Sequence, residues 1–139
     1  MIREATIDDV PVCAQAIAQL KDQTGWGVMP WPFDVGAIED WLAKIIWNPA
    51  YCLYVWDDGQ IQAGAGGYVF TQLLPPHLRC LSEWAWWGSG KQAVRVFHSV
   101  EQWGRGRGAV LSGYCLARPG QGSTVTETWR WRRLDGVRG

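Results

Sequence analysis

Residues 78 to 103 decide the reading of this chain: Leu78-Arg79-Cys80-Leu81-Ser82-Glu83-Trp84-Ala85-Trp86-Trp87, then Gly88-Ser89-Gly90, then Lys91-Gln92-Ala93-Val94-Arg95-Val96-Phe97-His98-Ser99-Val100-Glu101-Gln102-Trp103. The first part is an apolar, aromatic run with one acid, Glu83, and reads as a strand. The last part is apolar over a wide face at helical spacing, as suits a helix lying on a sheet. The glycines between them let the backbone turn sharply, and the first amides of the helix lack internal partners and sit at the positive end of its dipole. Strand, glycine turn and helix together can hold an anion. The same residues also serve an ordinary β-to-α connection with no ligand.

Two better-known anion loops are excluded by the residues themselves. Gly90-Lys91 matches the end of a P-loop, but Gln92 stands where a hydroxyl should meet magnesium and Ala85 where the first glycine belongs. A dinucleotide fingerprint would need its glycines after the first strand of a βαβ unit, and they are not there.

Working outward, Thr6 with Asp9 three residues on has the pattern of a helix cap, and Val10, Cys13, Ile17 and Leu20 recur at helical spacing. A short first strand therefore feeds a helix over about Ile7 to Leu20. Thr24 to Phe33 mixes Gly25, Gly27, Pro30 and Pro32 with Trp26, Met29 and Trp31 and reads as an apolar loop. Asp34 caps a second helix whose apolar face is Ile38, Trp41, Leu42, Ile45 and Ile46, and Pro49 prevents its continuation. Tyr51 to Trp56 and Ile61 to Phe70 flank the turn Asp57-Asp58-Gly59 and form a hairpin. Gly104 to Gly108 is expected to stop the third helix, and Ala109 to Leu116 to form a fifth strand. Arg118 to Ser123 reads as a loop.

The chain has 139 residues, 47% of them hydrophobic, which is enough for one core and too few for two ordinary domains. Residues 1–139 are taken as a single α/β domain. Thirteen basic and thirteen acidic residues cancel, so no overall field draws the molecule to nucleic acid or to an anionic membrane. Trp129-Arg130-Trp131-Arg132-Arg133 could stack on bases and meet phosphates, and the neutral balance argues against it. No run reaches the ~18 apolar residues of a spanning helix, and the start lacks a signal-peptide pattern, so a cytoplasmic setting in the producing or host cell is expected. Cys13, Cys52, Cys80 and Cys115 form no metal-binding or redox pair, and no metal is expected. His77 and His98 are isolated. Most of the eleven tryptophans are expected to pack in the core.

The order β-α-α-β-β-β-α-β resembles that of the GNAT acetyltransferases. Ile2 to Val10 is similar to the opening of many of them, Leu81 to Trp87 to their fourth strand, and Phe97 to Gly108 to the end of their third helix. The likeness covers about residues 1–116 and is nearest to small GNAT-like proteins of tailed phages. It implies a mixed central sheet with flanking helices, shortened at the C-terminus, and acetyl-CoA as co-substrate. By the resemblance, Gly88, Ser89, Gly90 and Lys91 take the place of the loop that binds pyrophosphate, although that loop is shorter here and lacks its leading Arg or Gln. Gly104-Arg105-Gly106-Arg107-Gly108 follows the helix and is in the wrong position for that role. Glu83 is implied as the general base toward an amine, its pKa raised by burial among tryptophans, or else as a structural carboxylate. No tyrosine follows Tyr114, which leaves Tyr114 as the candidate acid for the leaving thiolate. Trp26 to Phe33 would form a wall of the acceptor groove or simply pack.

Two activities are open on this reading: N-acetyl transfer to a small-molecule or protein amine, and a noncatalytic phage virion or host-interaction role on the same scaffold. Residues 117–139 have two competing forms. Thr124 to Trp131 alternates like a strand, whereas the family would place a fourth helix near Trp129 to Leu134. Trp129 and Trp131 are expected to be buried, either on the domain's own sheet or against a second copy in a homodimer.

Overall fold

The computed structural model describes residues 1–24, 34–119 and 125–134, with side chains described for 1–20, 34–114 and 130–134. The elements are β1 (Ile2–Glu4), a 3-10 turn (Ile7–Asp9), α1 (Val10–Thr24), α2 (Val35–Ile45), β2 (Tyr51–Asp57), β3 (Ile61–Thr71), β4 (Arg79–Trp87), α3 (Gly90–Gly106), β5 (Leu111–Pro119) and β6 (Val125–Arg133). All six strands form one sheet in the order β1-β2-β3-β4-β5-β6. Pairing is antiparallel throughout except between β4 and β5, which are parallel because α3 carries the chain across the sheet between them.

Local chemistry explains where the elements begin. Asp9 accepts from the Thr6 amide at 2.7 Å, the reciprocal acid expected at the first helical turn. Asp34 accepts from the Gly36 amide at 2.9 Å and starts α2. Asp57 accepts from the Gly59 amide at 2.9 Å, which closes the hairpin turn with Gly59 at a positive φ of 94°.

The sheet carries a core on each face. Val10, Cys13, Ala14 and Ile17 of α1 and Leu42 and Ile45 of α2 pack with Leu53, Val55, Ala85 and Trp87. On the other face Val96, Phe97, Val100 and Trp103 of α3 pack with Ala63, Ala65, Val69 and Leu81. Close approach between strands depends on missing side chains in β3. A Cβ at Gly64 would fall 2.1 Å from the Trp87 ring and one at Gly66 would fall 2.2 Å from that of Trp84, so both tryptophans lie flat against bare backbone.

Several expectations need correction. The helical turn begun at Ile7 continues as α1 to Thr24, beyond Leu20. Gly104 does not stop α3, which runs on to Gly106; a Cβ at Gly104 would sit 2.9 Å from Leu81 Cδ2, so this glycine serves helix-to-sheet packing. The stop comes at Arg107 and Gly108, the latter at φ 84°. The fifth strand starts two residues later than Ala109, at Leu111, and takes in Arg118 and Pro119, which had been placed in a loop. The tail is a strand, not a helix, and β6 pairs with β5 from Leu111↔Arg133 to Pro119↔Val125. Trp131 is 52% exposed on this chain, so of the two expected ways of burying it the domain's own sheet does so only in part; its ring lies over Gly113, where a Cβ would come within 2.7 Å. The side chain of Trp129, Cys115 and the apolar loop 25–33 lie outside the described residues. Cys13, Cys52 and Cys80 are free and buried. No described helix is long and apolar enough to cross a membrane.

Candidate functional site

The site begins where β4 and β5 part. They pair only at Cys80↔Leu111, Leu81↔Ser112 and Ser82↔Gly113, yet β4 continues to Trp87 and β5 to Pro119. A wedge therefore opens between the C-terminal parts of two parallel strands, the position at which α/β sheets bind ligands. A β-bulge strengthens the divergence. Consecutive Gly66 and Gly67 of β3 pair with Ala85 and Glu83 of β4, so Trp84 is an extra residue that twists the strand. The Trp84 indole donates to Gly67 O at 3.2 Å and its ring meets Trp41 edge-on at 4.9 Å, which holds the bulge in place.

On the α3 side of the wedge three aromatic rings pack together. Trp86 stacks on Phe97 with centroids 4.5 Å apart, Tyr114 meets Phe97 at 5.5 Å, and Trp86 meets Tyr114 edge-on at 6.2 Å. Trp86 also donates from Nε1 to Ala93 O at 2.9 Å, which binds β4 to the first turns of α3. Tyr114 is thus on β5 just past the last residue paired with β4. Glu83 is half-buried just past the last residue of β4 paired with β5, opposite Gly67, and is engaged by other groups in the fold.

At the upper end of β4 the turn leads straight into α3. Ser89 is the N-cap, yet its hydroxyl makes no capping bond. Gly88 has φ 106° and Gly90 φ 59°, conformations that favour glycine. A Cβ at Gly88 would press on Ala63 at 2.5 Å, whereas nothing lies within 4 Å of one at Gly90. Gly88, Ser89, Gly90 and Lys91 are all exposed. The first amides of α3 therefore lie in an exposed turn without a side-chain cap, a cradle suited to an anion. The structure places Glu83 and Tyr114 at the closed end of the β4–β5 wedge and the Gly88–Lys91 turn at the far end of β4, beyond Trp87. Among the described residues no cluster of three or more His, Cys, Asp or Glu could hold a metal.

A feature that the sequence did not reveal is the Glu101–Arg132 pair. Glu101, only 3% exposed on α3, accepts from Arg132 Nε at 3.2 Å and in a second, shorter bond from Arg132 Nη2. His98 Nδ1 lies 3.4 Å from the same carboxylate. Arg132 is thereby drawn to α3, which removes it from a nucleic-acid-facing row. His98, expected to stand alone, has a partner.

No family model and no curated protein matches this sequence. Solved structures do match. A Salmonella typhimurium protein assigned as an acetyltransferase, solved with its cofactor acetyl-CoA, is 11% identical with a TM-score of 0.71 and covers 100% of this chain and 96% of its own. Ribosomal-protein-alanine N-acetyltransferase from Brucella melitensis is 16% identical with a TM-score of 0.59, covering 84% of this chain and 74% of that one. Glucosamine-6-phosphate N-acetyltransferase from Arabidopsis thaliana is 15% identical with a TM-score of 0.57, covering 78% and 76%. The chain has the fold of the GNAT acyl-CoA N-acyltransferases.

Proposed function

We propose that the protein is an acetyl-CoA-dependent N-acetyltransferase. The observation that carries this reading is the β4–β5 wedge directly below an uncapped helix N-terminus. Acetyl-CoA would supply the acetyl group as a thioester, whose acyl carbon passes to an amine nitrogen. The amides of Gly88, Ser89, Gly90 and Lys91 would hold its pyrophosphate, with Lys91 adding a positive charge. Glu83 would take the proton that the amine releases, and Tyr114 would return one to the sulfur. Holding both substrates at the wedge would do most of the catalytic work. Two of the three named neighbours are N-acetyltransferases of a ribosomal-protein alanine and of glucosamine-6-phosphate, so the fold leaves the acceptor open to either a small molecule or a protein.

Titration calorimetry with acetyl-CoA tests the reading through Ser89→Asp. An aspartate N-cap satisfies the first amides of α3 and keeps or raises the melting temperature. The same carboxylate occupies and repels the pyrophosphate position, so affinity should fall about tenfold or more. No saturable binding to the wild-type protein at millimolar acetyl-CoA would end the enzyme reading. It would favour a noncatalytic virion or host-interaction role, for which the exposed Trp47, Leu73 and Leu74 (75%, 92% and 77%) offer contact surface.

A further inference from the structure

At the end of the domain remote from the Gly88–Lys91 turn is a cavity of about 170 Å³. Its walls are the C-terminal turn of α2 (Ile45 to Pro49), the ends of β1 and β2 (Glu4, Ala5, Tyr51 to Leu53) and the last turn of α3 (Trp103, Arg107). The 17 residues of α3 separate it from Gly90 by about 25 Å at 1.5 Å per residue, so it is no part of the proposed pyrophosphate cradle, and on the side of Glu83 the strand β3 stands between, with Cys52, Gly67 and Glu83 in one cross-strand row. Its volume is below the roughly 300–1,000 Å³ of sites for drug-sized ligands and suits something the size of one amino acid.

Arg107 in this cavity is fixed from three sides. Its guanidinium lies over the Trp103 ring at 4.4 Å, its Nε donates to Pro49 O at 3.2 Å, and its own carbonyl accepts from Arg79 Nε at 2.9 Å. An exposed arginine ordinarily samples many rotamers, and one held this way with no carboxylate partner among the described residues is organised to receive an anion. Glu4 also lines the cavity. Its Oε1 accepts from the Tyr54 hydroxyl at 3.2 Å, and no described cation pairs with it. The two charges act in opposite directions on one buried neighbour: burial raises the Cys52 thiol to about 12, Glu4 pushes it further up and Arg107 pulls it down. Between carboxylate and guanidinium Ile45, Ile46 and Leu53 supply an apolar wall beside about as much polar surface, and Trp47 stands exposed at the rim.

We infer that this cavity is a second small-molecule site, which takes a zwitterionic α-amino acid with an apolar side chain of moderate size. The ligand carboxylate meets the free Nη groups of Arg107, its ammonium meets Glu4, and its side chain lies against Ile45, Ile46 and Leu53. Neither a simple anion nor a simple amine answers both charges; Arg107 and Glu4 are exposed, so an unanswered one keeps its water and the loss is that of one charged hydrogen bond.

Calorimetric titration of the unmodified protein with L-leucine as the probe tests this, beside two analogues that each lack one charge: 4-methylpentanoate without the ammonium and isoamylamine without the carboxylate. Leucine should saturate at millimolar concentration or below, and each analogue should bind about tenfold more weakly or worse, the usual loss when a charged hydrogen bond is missing. Arg107→Gln and Glu4→Gln should each weaken leucine by a similar factor while acetyl-CoA titration is unchanged. Absence of leucine saturation, equal binding by either analogue, or unaltered leucine affinity in both variants would overturn the inference. None of these outcomes depends on whether the protein transfers acetyl groups.

Discussion

The β1–β4 meander and the β5–β6 hairpin belong to one sheet but are held by different forces. In the meander long antiparallel ladders bring tryptophans of β4 flat onto glycines of β3, and helices seal both faces. The hairpin is well paired within itself, yet it joins β4 at only three residue positions. Among its other attachments are the Val110 amide bonded to Arg79 O at 3.0 Å, the packing of Tyr114 against Trp86 and Phe97, and the Glu101–Arg132 pair. One region is fixed by shape alone and the other by packing together with a buried charge pair, and the wedge opens along their seam. The proposed site, which has to admit a ligand, is placed where the sheet is least continuous.

The largest effect is expected from breaking the charge pair on one side. Arg132→Leu strands Glu101, 3% exposed, with only the half-exposed His98 nearby. The expected loss is about 3–5 kcal/mol in urea unfolding followed by tryptophan fluorescence, toward the lower figure because the Arg132 side chain is 40% exposed. The double variant Glu101→Leu with Arg132→Leu should recover most of this, since a buried ion pair replaced as a unit costs little. A loss below about 1 kcal/mol for Arg132→Leu, the range of an ordinary surface pair, would mean that the hairpin is held by packing as the meander is.

In the meander the matching test is Gly66→Val. Its Cβ would overlap the Trp84 ring, which is itself tied to Gly67 O and packed on Trp41. Overpacking of this kind costs about 3 kcal/mol. The bulge should distort as well, so any acetyl-CoA affinity should fall together with stability. If Gly66→Val keeps wild-type stability, Trp84 has room to move and the bulge is not held by shape.

Much of the meander could be read from the sequence because its signals are local. The 3.6-residue spacing and Asp34 cap of α2, and the turn at Asp57 to Gly59, each need only neighbouring residues, and the structure agrees with them. Gly104 was misleading because a glycine that admits a sheet leucine cannot be told from one that ends a helix without knowing what lies opposite. The Glu101–Arg132 pair was invisible for a similar reason: its members are 31 residues apart and meet only once β6 has folded back on β5. The strand pattern of Thr124 to Trp131 was the better guide to the tail than the expected fourth helix, because alternation reflects cross-strand pairing within the chain itself. At the candidate site the glycine turn was legible, whereas the wedge was not, since three paired residues followed by divergence leave no mark on composition.

The free edge of the meander carries a pH signature. Arg3 of β1 bonds Asp9 at 2.7 Å and Asp57 at 2.8 Å. The Arg3 hydrogen bond, against an opposing effect of burial, lowers Asp9 from the ordinary 3.8 to about 2; the same arginine lowers Asp57. A carboxylate with a depressed folded pKa contributes its stability above the unfolded value and loses it as pH falls toward the folded one. For Asp9 the window is about pH 4 down to 2, and at about 1.4 kcal/mol per tenfold change in proton affinity the effect is about 2 kcal/mol. Unfolding free energies measured across that range should show the slope, and Arg3→Met should flatten it. An equal slope in the variant would locate the acid sensitivity elsewhere.

The smallest effect is expected at the seam itself and has the opposite sign. Ser112 is fully buried on β5, paired in register with Leu81 of β4 and Arg132 of β6, and its hydroxyl has no hydrogen-bond partner. A buried hydroxyl without a partner has lost its water and gained nothing in return. Ser112→Ala removes that group while leaving the backbone pairing and nearly all of the packing, so it should stabilise the protein by up to about 1 kcal/mol. The expected readout is a higher urea midpoint with an unchanged denaturant slope. A lower midpoint would show that the hydroxyl has an acceptor across the seam, in which case β4 and β5 are joined by a polar contact beyond their three paired residues and the contrast between the two regions is smaller than drawn here.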